Sequence, residues 1–185
     1  MPNMPTAHNS RQIAFGGMIA ALCIALMFLS GVLPFMEITT PAVAGVLLIF
    51  IVLEIGFKWS LIVYAVTALL ALLITPNREA AVLFIAFFGY YPIIKSKLEQ
   101  IKNRLIEYII KFCIFDVAIL GSYMAMIFLF QMTELLDGMS DYGTVGLLGL
   151  LVLANVTFYL YDLAITRLVS MYIHWFRPKY LKKMK

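Results

Sequence analysis

Six apolar runs separated by short polar connections account for most of the chain: Ile13 to Leu33, Pro41 to Phe57, Trp59 to Thr75, Ala80 to Ile94, Tyr108 to Phe130 and Thr144 to Ile173. A helix crosses a hydrocarbon core of about 30 Å with roughly 20 apolar residues. The pattern therefore predicts an all-α integral membrane protein, a six-transmembrane-helix bundle forming a single domain over residues 1–185. The second, third and fourth runs are short and are expected to stand steeply or to recruit flanking polar residues, while the last is long enough to tilt or protrude. The first run follows Arg11, is too long for a secretory core and has no small-x-small cleavage site after it. It is expected to stay in the protein as the first helix.

Charge placement assigns sides to the connections. On alternate sides, one set holds Arg11, Lys58, Lys95, Lys97, Lys102, Arg104, Arg177, Lys179, Lys182, Lys183 and Lys185, and the other holds Arg78. Basic residues favour the cytoplasmic side, so both termini are expected there, with residues 1–12 and a basic tail over 174–185 in the cytoplasm of a multi-pass cell-membrane protein. Pro34 to Thr40, Pro76 to Glu79 and Gln131 to Tyr142 then form outward loops, the last made acidic by Glu134, Asp137 and Asp141. Over residues 94–107, Ile94, Leu98, Ile101 and Leu105 recur at helical spacing among Lys95, Lys97, Glu99, Lys102 and Arg104. This predicts a basic amphipathic cytoplasmic helix, either a surface for a partner or anionic lipid or a simple lead-in to the fifth span.

Composition narrows the function classes. The chain has 185 residues, 63% hydrophobic and 13% charged, and a mean hydropathy of +0.96. No sizeable soluble domain fits beside the spans. The net charge of +4 is spread between apolar runs rather than gathered in one patch, which argues against nucleic-acid binding. Cys23 and Cys113 lie within apolar sequence and His8 and His174 near the ends, so neither a disulfide framework nor a metal site is expected, and no cofactor. An intramembrane aspartyl protease would need a glycine-rich motif around Asp116 or Asp162, and a serine protease a G-x-S-x-G nucleophile with an inner histidine; both patterns are missing. The chain is not expected to be an enzyme.

Ionisable residues cluster in the cytoplasmic half as Glu54 with Lys58, Glu107 with Lys111, Asp116, and Asp162 with Arg167. Ion pairs or a coupling network are the two readings of them. The most informative pattern is Gly17, Ala21 and Ala25, a small residue at every fourth position of the first helix. Small side chains allow close backbone approach where no hydrophobic drive operates, so the stripe predicts a helix–helix interface, internal or external.

With its six helices, cytoplasmic termini, Ala21-xxx-Ala25 pattern and proline-bounded loop after the first helix, the chain resembles the substrate-binding S components of energy-coupling factor transporters. The resemblance spans nearly the whole chain and rests on architecture. It implies that Gly17, Ala21 and Ala25 face a separate transmembrane coupling subunit, and that further subunits hydrolyse ATP. No G-x-x-x-x-G-K-[ST] loop occurs in the chain, which agrees with an external energy source.

A solute captured from outside would meet few polar groups. Glu37, Asn77, Arg78 and Glu79 stand in the first two outward loops, Tyr123 could stack on a ring-shaped ligand, and Asn155 lies deeper in the sixth span. Each has a plainer reading: Glu37 as a solvated carboxylate, Asn77 to Glu79 as a polar turn capping the fourth helix, Tyr123 as packing, and Asn155 as a hydrogen bond between helices. The alternative to a vitamin-like or similar micronutrient importer subunit is a six-span membrane scaffold of the rod-shape D type, similar in outline, which would bind membrane proteins and no solute.

Overall fold

The computed structural model describes residues 7–33, 36–131 and 134–176, with side chains over 10–33, 36–131 and 145–175. The described residues are helical without strands: α1 Ala7–Leu29, α2 Thr39–Glu54, α3 Phe57–Ile74, α4 Arg78–Leu83, a π-turn over Phe84–Phe88, α5 Tyr91–Leu98, α6 Arg104–Phe130, α7 Glu134–Met171 and a second π-turn over Tyr172–Phe176. Five stretches are long and apolar enough to cross a membrane: Ser10–Leu29, Phe57–Ile74, Arg78–Leu98, Arg104–Phe130 and Val145–Trp175. The protein is read as a multi-pass membrane protein. The second apolar run forms α2, only 16 residues long.

The chain divides into two compact units, Met1–Met132 and Thr133–Lys185. Within the first, α2 is the hub, packed against α1, α3, α4, the first π-turn and α5. Its sequence explains this position. Pro41 lies in its first turn, and Ala44, Gly45, Leu48, Ile49 and Ile51 are all buried. At roughly 1.5 Å per residue it rises only about 24 Å, and protein contact over much of its surface lets so short a helix sit in the unit. Gly45 is required at its crossing with the fourth span, because an added Cβ would fall on the carbonyl oxygen of Phe88 and within 2.8 Å of its carbon.

α1 packs on α2 and α3 through Gly16, Ile19, Cys23, Met27 and Ser30, residues three or four apart and all buried. The Cys23 thiol donates to the Ala44 carbonyl at 3.3 Å. Hydroxyls within the helices satisfy themselves on the preceding turn, as apolar surroundings demand: Ser60 donates to Phe57 at 2.8 Å, Thr67 to Val63 at 2.8 Å and Ser122 to Ala118 at 2.7 Å.

The fourth span is not one α-helix. At its middle, the Gly89 N–H bonds to Phe84 at 2.8 Å, five residues back, instead of to Ile85. The carbonyl of Ile85 is thereby released from the ladder and accepts the Tyr64 hydroxyl of α3 at 2.6 Å. Gly89 makes room for this, since a Cβ there would lie 2.6 Å from the Tyr64 ring. Around the turn, Phe87 stacks on Tyr91 at 4.7 Å and meets Phe115 of α6 edge-on at 5.2 Å.

Two expectations are corrected. The continuous amphipathic helix over 94–107 is interrupted: α5 ends at Leu98 and α6 begins at Arg104. Tight turn bonds from Gln100 to Lys97 (3.1 Å) and Ile101 to Leu98 (3.0 Å) close the first helix, and the Asn103 side chain accepts from the Leu105 N–H at 3.0 Å to start the next. The loop expected over Gln131 to Tyr142 is helical from Glu134 onward; acidic residues in an opening turn suit the positive end of a helix. The side chains of Glu134, Asp137 and Asp141, and the basic residues from Arg177 to Lys185, lie outside the described residues.

The second unit is dominated by the 38-residue α7, about 57 Å long at 1.5 Å per residue.

Candidate functional site

A cleft of about 360 Å³ opens where the α1–α2 and α3–α4 connections of the first unit meet, lined by Ser30, Gly31, Glu37, Pro76 and Asn77. Local chemistry builds it. The Asn77 side chain accepts from the Ala80 N–H at 3.1 Å and so caps α4, as the polar-turn reading anticipated. Its amide nitrogen simultaneously donates to Glu37 Oε1 at 3.0 Å, tying together two connections 40 positions apart in sequence. Glu79 stands in the first turn of α4, beside Glu37.

Arg78 is turned elsewhere. Its guanidinium donates to the Leu72 carbonyl in the last turn of α3 at 2.7 Å and lies 6.0 Å from the Phe130 ring centroid, where the negative end of the α3 dipole and the ring face both favour a cation. It therefore braces the ends of α3 and α6. Of the four loop residues singled out in the sequence, Glu37, Asn77 and Glu79 converge, and Arg78 supports the same end of the unit from outside the carboxyl pair.

Tyr123 is 40% exposed on α6, and Asn155, in the second unit, donates to Leu151 on its own helix at 3.0 Å. Ser30, Gly31 and Pro76 were missed as lining. The usable signal was Gly31 near the end of an apolar run opposite a proline turn: a Cβ at Gly31 would stand 2.6 Å from Pro76 Cβ, so only glycine permits the two connections to close on one another. Beside them, the buried hydroxyl of Thr75 has no hydrogen-bond partner among the described residues.

The small-residue stripe lies on the face of α1 opposite its packed one. Gly17, Ala21 and Ala25 are all exposed, and a Cβ at Gly17 would meet nothing within 4 Å. Larger exposed side chains flank them, Ile13, Met18, Leu22 and Phe28 among them.

At the opposite end of the first unit, Glu107 and Lys111 form the expected pair at 2.7 Å, and Lys95 pairs with Glu99 at 2.9 Å. Both lysine side chains are 3% exposed. Glu54 and Lys58 are exposed. Among the described residues no cluster of three or more His, Cys, Asp or Glu side chains could hold a metal ion.

No family model, no curated protein and no solved structure matches the chain.

Proposed function

We propose that this chain is a membrane-embedded solute-binding subunit of a multisubunit importer, of the S-component kind, working as a six-helix bundle with both termini cytoplasmic. The observation that carries the reading is the cleft. Its volume of about 360 Å³ falls in the range of small-molecule sites, roughly 300–1,000 Å³, and it presents an amide, a hydroxyl and a carboxyl at the end of the unit that Arg78 braces. In this reading Glu37 and Asn77 contact a micronutrient-sized solute, Glu79 stands beside them, and Arg78 holds the helix ends beneath them. Tyr123 and Asn155 are further candidate contacts for the solute.

The exposed stripe of Gly17, Ala21 and Ala25 supports the second half of the proposal, in which α1 meets a transmembrane coupling subunit and partner ATPase subunits supply the energy. Native mass spectrometry of gently extracted protein tests both halves at once. The expected spectrum shows a retained small molecule, lost on Asn77→Ala, and associated subunits, lost on Ala21→Leu or Ala25→Leu with the small molecule kept. Associated membrane proteins without any small molecule would replace this reading with the scaffold one.

A further inference from the structure

The end of the first unit opposite the cleft gathers four cations, and two of their nearest acids are already engaged. Lys58 follows Phe57 at the start of α3, and the ammonium of Lys97, at the end of α5, lies 5.6 Å from the Phe57 ring centroid. Lys102 and Arg104 follow across the short turn into α6. All four are exposed. Of the three acids that neighbour them in sequence, two are occupied by buried lysines: Glu99 by Lys95 at 2.9 Å and Glu107 by Lys111 at 2.7 Å. Among the described residues, none of Lys58, Lys97, Lys102 and Arg104 forms an ion pair. Exposed Glu54 alone tempers the charge at this end.

What borders the cluster identifies its occupant. Arg104 is followed by Leu105, Ile106 and Ile109, which are 75%, 48% and 62% exposed. An apolar surface this open, on a helix long enough to cross a bilayer, faces acyl chains. The cations at its edge then stand at headgroup depth, where long basic side chains extend toward phosphate. We propose that the Lys58, Lys97, Lys102 and Arg104 cluster is a binding site for the headgroups of anionic phospholipids, whose chains lie along Leu105, Ile106 and Ile109.

Trp59, adjacent to Lys58, is a built-in reporter, because Trp175 is the only other tryptophan in the chain. The test reconstitutes the full-length Trp175→Phe protein into bilayers containing phosphatidylglycerol or phosphatidylcholine with brominated acyl chains, at equal mole fraction, and measures quenching of Trp59. Brominated phosphatidylglycerol is expected to occupy the site about fivefold better, the factor for one basic side chain near a charged surface. Adding Lys58→Gln, Lys97→Gln, Lys102→Gln and Arg104→Gln together should reduce the preference to about one. These positions are exposed, so the helices should persist, and circular dichroism checks that they do. Raising the salt should weaken quenching by the anionic lipid and leave the zwitterionic one unchanged. Equal quenching by the two lipids would overturn the proposal, as would a preference that survives the four substitutions. Loss of the preference to inorganic phosphate, at an ionic strength where chloride has no effect, would overturn it in favour of a free-phosphate site.

Discussion

Replacing Tyr64 by Phe removes one oxygen atom and leaves the ring, which makes it a clean probe of the π-turn. The Tyr64 ring sits 6.2 Å from both Phe84 and Tyr90, and Phe can keep those contacts. What disappears is the 2.6 Å bond to the Ile85 carbonyl. In an unbroken α-helix that carbonyl would be satisfied by the Gly89 N–H, but Gly89 is committed to Phe84. A hydrogen bond between membrane helices is worth about 0.6 kcal/mol on average and about 1.7 at most, because released groups usually find new partners. A buried acceptor left without one costs about 1–3 kcal/mol. The Ile85 carbonyl belongs nearer the second case, so the expected loss is about 1–2 kcal/mol. Reverting the turn to α geometry would recover the bond, but it would rotate everything after it by about 100° and pull Phe87 and Tyr91 out of their stack. The assay is SDS titration of the protein in mixed micelles, followed by circular dichroism. The midpoint should fall for Tyr64→Phe, and fall further for Tyr64→Leu, which also removes the ring. A Tyr64→Phe shift below about 0.5 kcal/mol, the range of an inconsequential surface change, would refute the idea that this hydroxyl holds the π-turn.

Three further outcomes follow from contacts already described. Gly45→Ala places a methyl on the Phe88 backbone, where no side chain can yield, and should cost about 1–3 kcal/mol in the same titration. Gly31→Ala sets a Cβ 2.6 Å from Pro76 and should prise the two connections apart; under the proposed function, the retained small molecule in native spectra should fall about tenfold, the equivalent of about 1.4 kcal/mol, with subunit association unchanged. Cys23 is buried and Cys113 exposed, so a membrane-permeant maleimide should label Cys113 first in folded protein, and Cys23 only after SDS unfolding, as read by intact mass.

Residue patterns reach the helices of this protein better than the joints between them. Each predicted apolar run is represented by a helix, because a length of uninterrupted hydrophobicity has few other ways to satisfy its backbone. Asn77 was readable as a cap, and with it the position of Glu79, since capping depends on residues within one turn. The contact of Glu37 with both was suggested only by their shared side, inferred from charge. Periodicity misled at 94–107: the apolar spacing of Ile94, Leu98, Ile101 and Leu105 continues straight through a turn, because an interfacial turn also keeps one side apolar, and the decisive signal was Asn103 opening a new helix. The π-turn had no legible signature. Its cause is tertiary, a tyrosine on α3 that takes a carbonyl and a glycine that admits the ring, and nothing in the Phe84 to Phe88 sequence announces it.

The two faces of α1 bear on how the proposed subunit would couple its tasks. Ile19, Cys23 and Met27 fix the helix to α2 and α3, while Gly17, Ala21 and Ala25 leave a shallow strip between larger exposed side chains on the other face. In lipid such a strip gains little from acyl chains, which fill it imperfectly, and more from a helix that can approach closely. The same helix ends at Leu29, directly before Ser30 and Gly31 in the cleft wall. A helix of 23 residues is a rigid rod about 34 Å long, so a partner that tilts its stripe-bearing half would move Gly31 against Pro76. The proposed coupling therefore requires no separate transmitting element. It predicts that a short thiol-reactive crosslinker between cysteines introduced at Glu37 and Asn77, whose side chains meet at 3.0 Å, would hold the cleft shut without displacing the coupling subunit. If closing the cleft in this way released the partner, solute capture and docking would share one surface, and the assignment of the two faces to two tasks would fail.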